Sequence, residues 1–135
     1  MTVMLISIFL IPTAILLSGL FLYKYPPEEI NGTYGFRTRL SSQTIFTWRY
    51  ANARGGKLLF AEGIMMFALM LIALLIMHWV FGISDPEQIG LYLSLFAVIL
   101  LIAGIVYLVA KVHGELREKF DTNGMPYHPD SVRRD

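Results

Sequence analysis

The sequence predicts an all-α integral membrane protein with three transmembrane helices and a short cytoplasmic interfacial helix. Two stretches of the 135-residue chain, residues 1–23 and 89–110, carry no charged side chain, and residues 58–84 carry only Glu62. Each stretch is at least as long as the roughly 18–20 apolar residues that a helix needs to cross about 30 Å of hydrocarbon. Because 56% of the residues are hydrophobic, a soluble domain of this size would expose much apolar surface to water.

These stretches divide the chain into one transmembrane domain at residues 1–120 and a flexible cytoplasmic tail at residues 121–135. The expected helices are residues 2–23, 57–81 and 89–110. The first stretch lacks the basic start and the small-residue cleavage site of a signal peptide, so we expect it to be retained. Residues 24–56, which we call the cap, connect the first two helices.

The basic residues predict the orientation of the helices. Residues 24–57 contain six Lys or Arg and two Glu, and the other five basic residues follow residue 110. The N-terminus and the connection at residues 82–88 contain no basic residue. Cytoplasmic segments carry the excess of Lys and Arg. We therefore expect the N-terminus outside, with the cap and the C-terminus in the cytoplasm.

The cap has the sequence features of a turn followed by a helix. Asn31 and Gly35 favour a compact turn, because both tolerate positive φ. Ser41 and Ser42 can cap a helix that runs to about Arg54, and the two glycines that follow can end it. Apolar residues cover so much of this helix that we expect it in the membrane interface.

Arg37 permits two interpretations. It can hold the cap in the cytoplasm and pair with anionic lipid headgroups. Alternatively, its guanidinium can donate to carbonyls or a carboxylate in a buried polar knot, with Trp48 and Asn52 held against it. The spacing of these residues fits both interpretations.

The order of residues in the cap resembles the SdpI family of bacterial membrane proteins. The pattern is N-x-x-x-G-(F/Y)-R-T-x-x-S, followed by W-x-x-A-N and a glycine. The matching residues are Asn31, Gly35, Phe36, Arg37, Thr38, Ser41 or Ser42, Trp48, Ala51, Asn52 and Gly55. The resemblance covers the cap and its flanking apolar segments, which is the family's conserved module. It implies a multi-pass protein of the bacterial cell membrane that gives immunity to, or senses, a secreted membrane-active toxin peptide.

Glu62 is a second candidate for a functional residue, because a carboxylate inside a membrane is costly. It lies about one turn inside the second helix. It can form a structural ion pair with Arg54, Lys57 or an arginine of the cap. A role in proton transfer or toxin sensing is the alternative.

Other functional classes find little support in the sequence. The chain has no cysteine, and it contains no nucleophile-elbow, zinc-protease or phosphate-loop motif. We therefore expect no enzyme activity, no cofactor, no metal and no nucleic-acid partner. The expected partners are membrane lipid, a toxin peptide or a cytoplasmic regulator, and a homo-oligomer is a further possibility. A membrane anchor that sequesters a regulator and a small transporter are the alternative functions.

Overall fold

The computed structural model describes residues 2–128, except for the side chains of residues 2–5 and 7. In this range the chain forms three α-helices and no extended strand: α1 (Thr2–Lys24), α2 (Ile45–Trp79) and α3 (Pro86–Lys119). The prediction of an all-α chain with three helices is confirmed. The helix α1 packs closely along α2, and α3 covers less of either.

Side-chain caps fix where α2 and α3 begin. Thr44 and Thr47 form a reciprocal capping box at the start of α2, in which each side chain accepts from the other residue's backbone N–H. The side chain of Asp85 caps α3, and Pro86 occupies its first turn, where a missing N–H costs no helical hydrogen bond. The N-terminal capping residue of α2 is therefore Thr44, two residues beyond the predicted Ser42.

The predicted separate interfacial helix is wrong, because α2 continues through Gly55 and Gly56 without a break. A Cβ atom on Gly56 would clash with the backbone of α1 at Leu22 and Tyr23. Gly63 lies in the same way against Leu16. These glycines allow α1 and α2 to approach closely, as small residues do between packed helices, so here they serve packing rather than helix termination.

Two clusters of buried side chains form the core. The cluster distant from the cap contains Ile8, Met66, Met70, Ile89, Leu93 and Ala97. The cluster beneath the cap contains Ala51, Leu108, Val112, Leu116 and Phe120. The second cluster joins the first turns of α2 to the last turns of α3, and this places the cap on a packed base.

Much of the remaining helix surface is apolar and exposed. Both α2 and α3 are long and apolar enough to cross a membrane, and α1 contributes a shorter apolar segment, Ile8–Lys24. Only 22% of an apolar 18-residue stretch of α2, and 17% of the corresponding stretch of α3, is buried. Most side chains in these apolar stretches are therefore not buried against another helix.

The chain turns back on itself after α3. Phe120 and Pro126 form an isolated antiparallel bridge, and the hydroxyl of Thr44 donates to the carbonyl of Gly124 over 2.7 Å. Gln43 donates to the carbonyl of Thr122 over 2.6 Å. Residues 121–128 of the predicted flexible tail thus contact the cap, and residues 129–135 lie outside the described range.

Candidate functional site

Trp48 and Asn52 form the buried base of the cap. Both side chains are fully buried on one face of α2. The indole Nε1 of Trp48 donates to the carbonyl of Pro27 over 3.0 Å. The side-chain oxygen of Asn52 accepts from the backbone N–H of Phe36 over 2.5 Å, and its Nδ2 donates to the carbonyl of Trp48 over 2.9 Å. The first turns of α2 therefore hold both ends of the segment from residue 27 to residue 36.

The turn between these two anchors forms as the sequence predicts. The side-chain oxygen of Asn31 accepts from the backbone N–H groups of Thr33 and Tyr34 over 2.9 and 3.1 Å. Gly35 has a φ of 118°, and a Cβ atom there would lie 2.5 Å from the side-chain oxygen of Asn52. Glycine is required at this position, because any side chain would be strained and would displace the hydrogen bond that anchors Phe36.

A second hydrogen-bonded turn follows at Thr38. The buried hydroxyl of Ser41 accepts from the Thr38 N–H over 2.7 Å and lies 2.9 Å from the Phe36 carbonyl, to which it donates. The hydroxyl of Thr47 reaches the Ser41 carbonyl over 3.2 Å. Ser42 is only half-buried. Of the two serines that match the resemblance pattern, Ser41 is therefore the one that closes the turn.

Arg37 lies outside this hydrogen-bonded base. Its side chain is exposed and passes over the turn at Gly32. It forms no hydrogen bond or ion pair with the part of the chain that the structure describes. The buried knot exists, but Asn52 is at its centre and Arg37 is not a member. A positive charge is left exposed on the surface of the cap instead.

Arg54, near the end of the cap, binds Glu115 and thereby connects α2 to α3. The guanidinium binds the carboxylate in a bidentate manner, with Nε 2.9 Å from Oε2 and Nη2 3.0 Å from Oε1. The hydroxyl of Tyr50 donates to the same carboxylate over 2.7 Å.

These contacts change the protonation of Glu115, which lies beyond the apolar part of α3. Burial opposes ionisation of the carboxyl group, but the hydrogen bonds from Arg54 and Tyr50 outweigh it, so the pKa of Glu115 falls below its ordinary value. Burial and the hydrogen bond to Glu115 raise the pKa of the Tyr50 hydroxyl. The three groups therefore form one charged cluster that keeps its hydrogen bonds at neutral pH.

Glu62 is buried between α2 and α3 and is 8% exposed. A Cβ atom on Gly104 would overlap its carboxylate, so only glycine leaves room for it. Its Oε1 atom has no hydrogen-bond partner among the described residues, and no ion pair reaches the carboxylate there. The predicted ion pair with Arg54 is wrong, because Arg54 binds Glu115. Among the described residues, Glu62 forms no ion pair with Lys57 or a cap arginine either.

An open groove of about 920 Å³ lies beside the cap. We call it the lateral groove. Apolar side chains of all three helices line it, and Phe36 and Tyr34 of the cap close one end. Lys24 and Tyr25, at the end of α1, lie at the same end. The groove therefore has an apolar body and a polar end.

Two residues of this region were missed by the sequence analysis. Glu115 was missed because the pattern of apolar residues in α3 does not show which face of this helix packs against α2. His113 packs edge-on against Phe36, with ring centroids 6.4 Å apart, and its Nε2 atom is buried without a hydrogen-bond partner in the described chain.

No metal site is apparent in residues 2–128, since no group of three or more His, Cys, Asp or Glu is close enough there to hold an ion. No protein-family model, curated protein or solved structure matches the chain. Its function is therefore argued from its own geometry and residues.

Proposed function

We propose that the chain is a multi-pass membrane protein in which all three helices cross the bilayer. The exposed apolar surface supports this proposal: Ile99 and Val106 of α3 are each 63% exposed. Water is a poor solvent for a surface of this kind, whereas a helix satisfies its backbone internally and can cross hydrocarbon. The 23 residues of α1 make a helix about 35 Å long, sufficient for a third span.

In this arrangement the cap faces the cytoplasm and the N-terminus faces outside. The concentration of basic residues in and after the cap supports this orientation. The contact of Thr44 with Gly124 supports the number of spans, because three spans bring the end of α3 to the side of the cap.

Single cysteines test the orientation, since the natural chain has none. A membrane-impermeant thiol reagent applied to intact cells should label Ser84→Cys, in the connection between α2 and α3, and leave Thr33→Cys in the cap unlabelled. Labelling of Thr33→Cys from outside, in cells whose membranes are shown to be intact, would invert the proposed orientation.

The function we propose is immunity to, or sensing of, a secreted membrane-active toxin peptide in a bacterial cell. The observation that carries this proposal is the arrangement of the residues of the resemblance. Gly35, Phe36, Trp48 and Asn52 form one hydrogen-bonded unit, and Arg37 projects from it without an ion pair to any described residue. A rigid base that presents one exposed guanidinium at the membrane surface suits the recognition of a peptide's carbonyl or carboxylate groups.

Survival of a sensitive strain during exposure to a membrane-active toxin peptide tests this function. Arg37→Ala should abolish protection, and Arg39→Ala should retain it. Arg39 is a matched control, because it is also exposed and lies two residues away, outside the resemblance pattern. Membrane abundance is measured for each protein. Equal survival of the two variants would contradict a role of Arg37, and failure of the wild type against a panel of such peptides would contradict immunity itself.

The second candidate function is a membrane anchor that recruits a cytoplasmic regulator. It is favoured by the exposed guanidinium of Arg37, because a guanidinium binds carboxylates of an acidic surface in a bidentate manner. A soluble protein that co-purifies with the wild type and the Arg39→Ala variant, but not with Arg37→Ala, would support it. If the same proteins co-purify with all three, the cap does not recruit through Arg37.

A further inference from the structure

We propose that the lateral groove is a binding site for one anionic phospholipid of the cytoplasmic leaflet. An acyl chain would lie between α1 and α3, and its phosphate would bind at Lys24. This inference rests on the membrane location proposed above and is independent of toxin immunity.

The body of the groove fits an acyl chain. Leu17 and Phe21 of α1, Leu59 of α2 and Leu108 of α3 contribute apolar surface to it. Along α1 the groove extends from Leu17 to Lys24, which is about 10 Å of helix and about two-thirds of one leaflet of a 30 Å hydrocarbon layer. The groove therefore begins at the level of the headgroups and ends inside the hydrocarbon.

The polar end of the groove suits a phosphate. The Lys24 ammonium lies 5.6 Å from the centroid of the Tyr25 ring, and it has no hydrogen-bond acceptor or carboxylate partner in residues 2–128. Its three N–H donors are thus available. Tyr25 and Tyr34, which flank it, are of the type that favours the membrane interface.

Charge favours an anionic over a zwitterionic lipid. Residues 24–57 have a net charge of +4, from six basic and two acidic residues. A zwitterionic headgroup brings its own cation into this field, whereas a phosphatidylglycerol headgroup brings only the phosphate. A bound peptide helix is less suitable, because a groove about 10 Å long contacts only two turns.

Native mass spectrometry of the full chain tests the site. The protein is incubated with mixed vesicles of phosphatidylglycerol and phosphatidylcholine, extracted in detergent, and the retained lipid is counted. Wild type should retain one phosphatidylglycerol in preference to phosphatidylcholine. Lys24→Gln should reduce that preference about fivefold, the effect of one basic residue near an anionic headgroup. Lys111→Gln is the control for loss of one cation, because Lys111 is also exposed at this end of the bundle and does not line the groove. Its ammonium lies 3.9 Å from the Glu115 carboxylate, whereas Lys24 has no such partner in residues 2–128.

A second pair of variants tests the apolar body. Ser18 lines the groove and is exposed, and Thr13 is exposed on the same helix outside the groove. Ser18→Leu should reduce retention of both lipids by occupying the space, and Thr13→Leu should leave retention unchanged. Neither change removes a buried contact, and thermal unfolding in detergent confirms that each variant is folded.

Three outcomes would overturn the proposal: equal preference in the two lysine variants, full retention in Ser18→Leu, or no retained phosphatidylglycerol in a wild type that stays in the membrane. Displacement of the lipid by a helical peptide at equal concentration would reassign the groove to that peptide. Carbonate extraction separates these results from failure of the membrane proposal, because release of the protein by carbonate contradicts membrane insertion itself.

Discussion

Replacing Asn52 with alanine is expected to open the cap while leaving the helices in place. The Phe36 N–H loses its acceptor, and an unsatisfied donor of this kind costs about 1–3 kcal/mol. The variant also loses the hydrogen bond from Asn52 Nδ2 to the Trp48 carbonyl. This loss costs only about 0.5–1.5 kcal/mol, because the carbonyl keeps its hydrogen bond within the helix backbone. Together the cap should lose about 1.5–4.5 kcal/mol of local stability.

Hydrogen exchange of a peptide that includes Phe36 measures this loss directly. In detergent or nanodiscs its amide should exchange roughly 10- to 1,000-fold faster in Asn52→Ala, since about 1.4 kcal/mol corresponds to a factor of ten. Peptides from the apolar part of α2 should be unaffected, because the cap can open without unfolding the bundle. Arg39→Ala is the control and should exchange like the wild type. An unchanged rate at Phe36 in Asn52→Ala would refute the role assigned to this side chain.

Three further predictions concern the helices. Gly56→Ala should lower the free energy of unfolding by about 1–3 kcal/mol through overpacking against α1, whereas Gly114→Ala, with open space around it, should raise it by up to about 1 kcal/mol through helix propensity; denaturant titration in detergent measures both. Glu62→Leu should raise the free energy of unfolding by about 1–3 kcal/mol, because it removes a buried oxygen that has no hydrogen-bond partner among the described residues. Because folding lowers the pKa of Glu115, its carboxylate stabilises the fold fully above the ordinary value of 4.5 and loses this contribution as the pH falls further. Unfolding midpoints between pH 3 and 7 should show that loss in the wild type and in Glu118→Gln, but not in Glu115→Gln.

Each of these predictions has a result that contradicts it. Equal stabilities of Gly56→Ala and Gly114→Ala would mean that α1 does not approach α2 as closely as the structure indicates. A loss of stability in Glu62→Leu would mean that the carboxylate has a partner beyond the described residues. An identical pH profile in wild type and Glu115→Gln would place the acid sensitivity elsewhere.

The sequence was sufficient to predict three long apolar helices, because an uninterrupted apolar run of about 18 residues or more is typical of such a helix. It also located the turn at Asn31 and placed Trp48 and Asn52 together in a buried knot. It could not decide the role of Gly56, which lies against the backbone of α1. Glycine both ends helices and admits close neighbours, and only the position of α1 distinguishes the two uses.

The ion pairs could not be predicted for a related reason. Arg54 had a carboxylate eight residues away in Glu62, yet it binds Glu115 across 61 residues. Which face of α3 turns toward α2 determines that choice. An almost uniformly apolar helix carries no amphipathic pattern that reveals its orientation, so the partner of Arg54 becomes visible only in the packed structure.

The hydrogen bond between Thr44 and Gly124 has a consequence for how the protein is made. These residues are 80 positions apart, so the ribosome needs about 4–16 s, at 5–20 residues per second, to supply the second after the first. During that interval α1 and α2 can already be paired, while the cap still lacks the segment that closes it from below. A nascent or truncated chain that ends before residue 121 would therefore carry an incomplete cap, which proteases and chaperones can recognise.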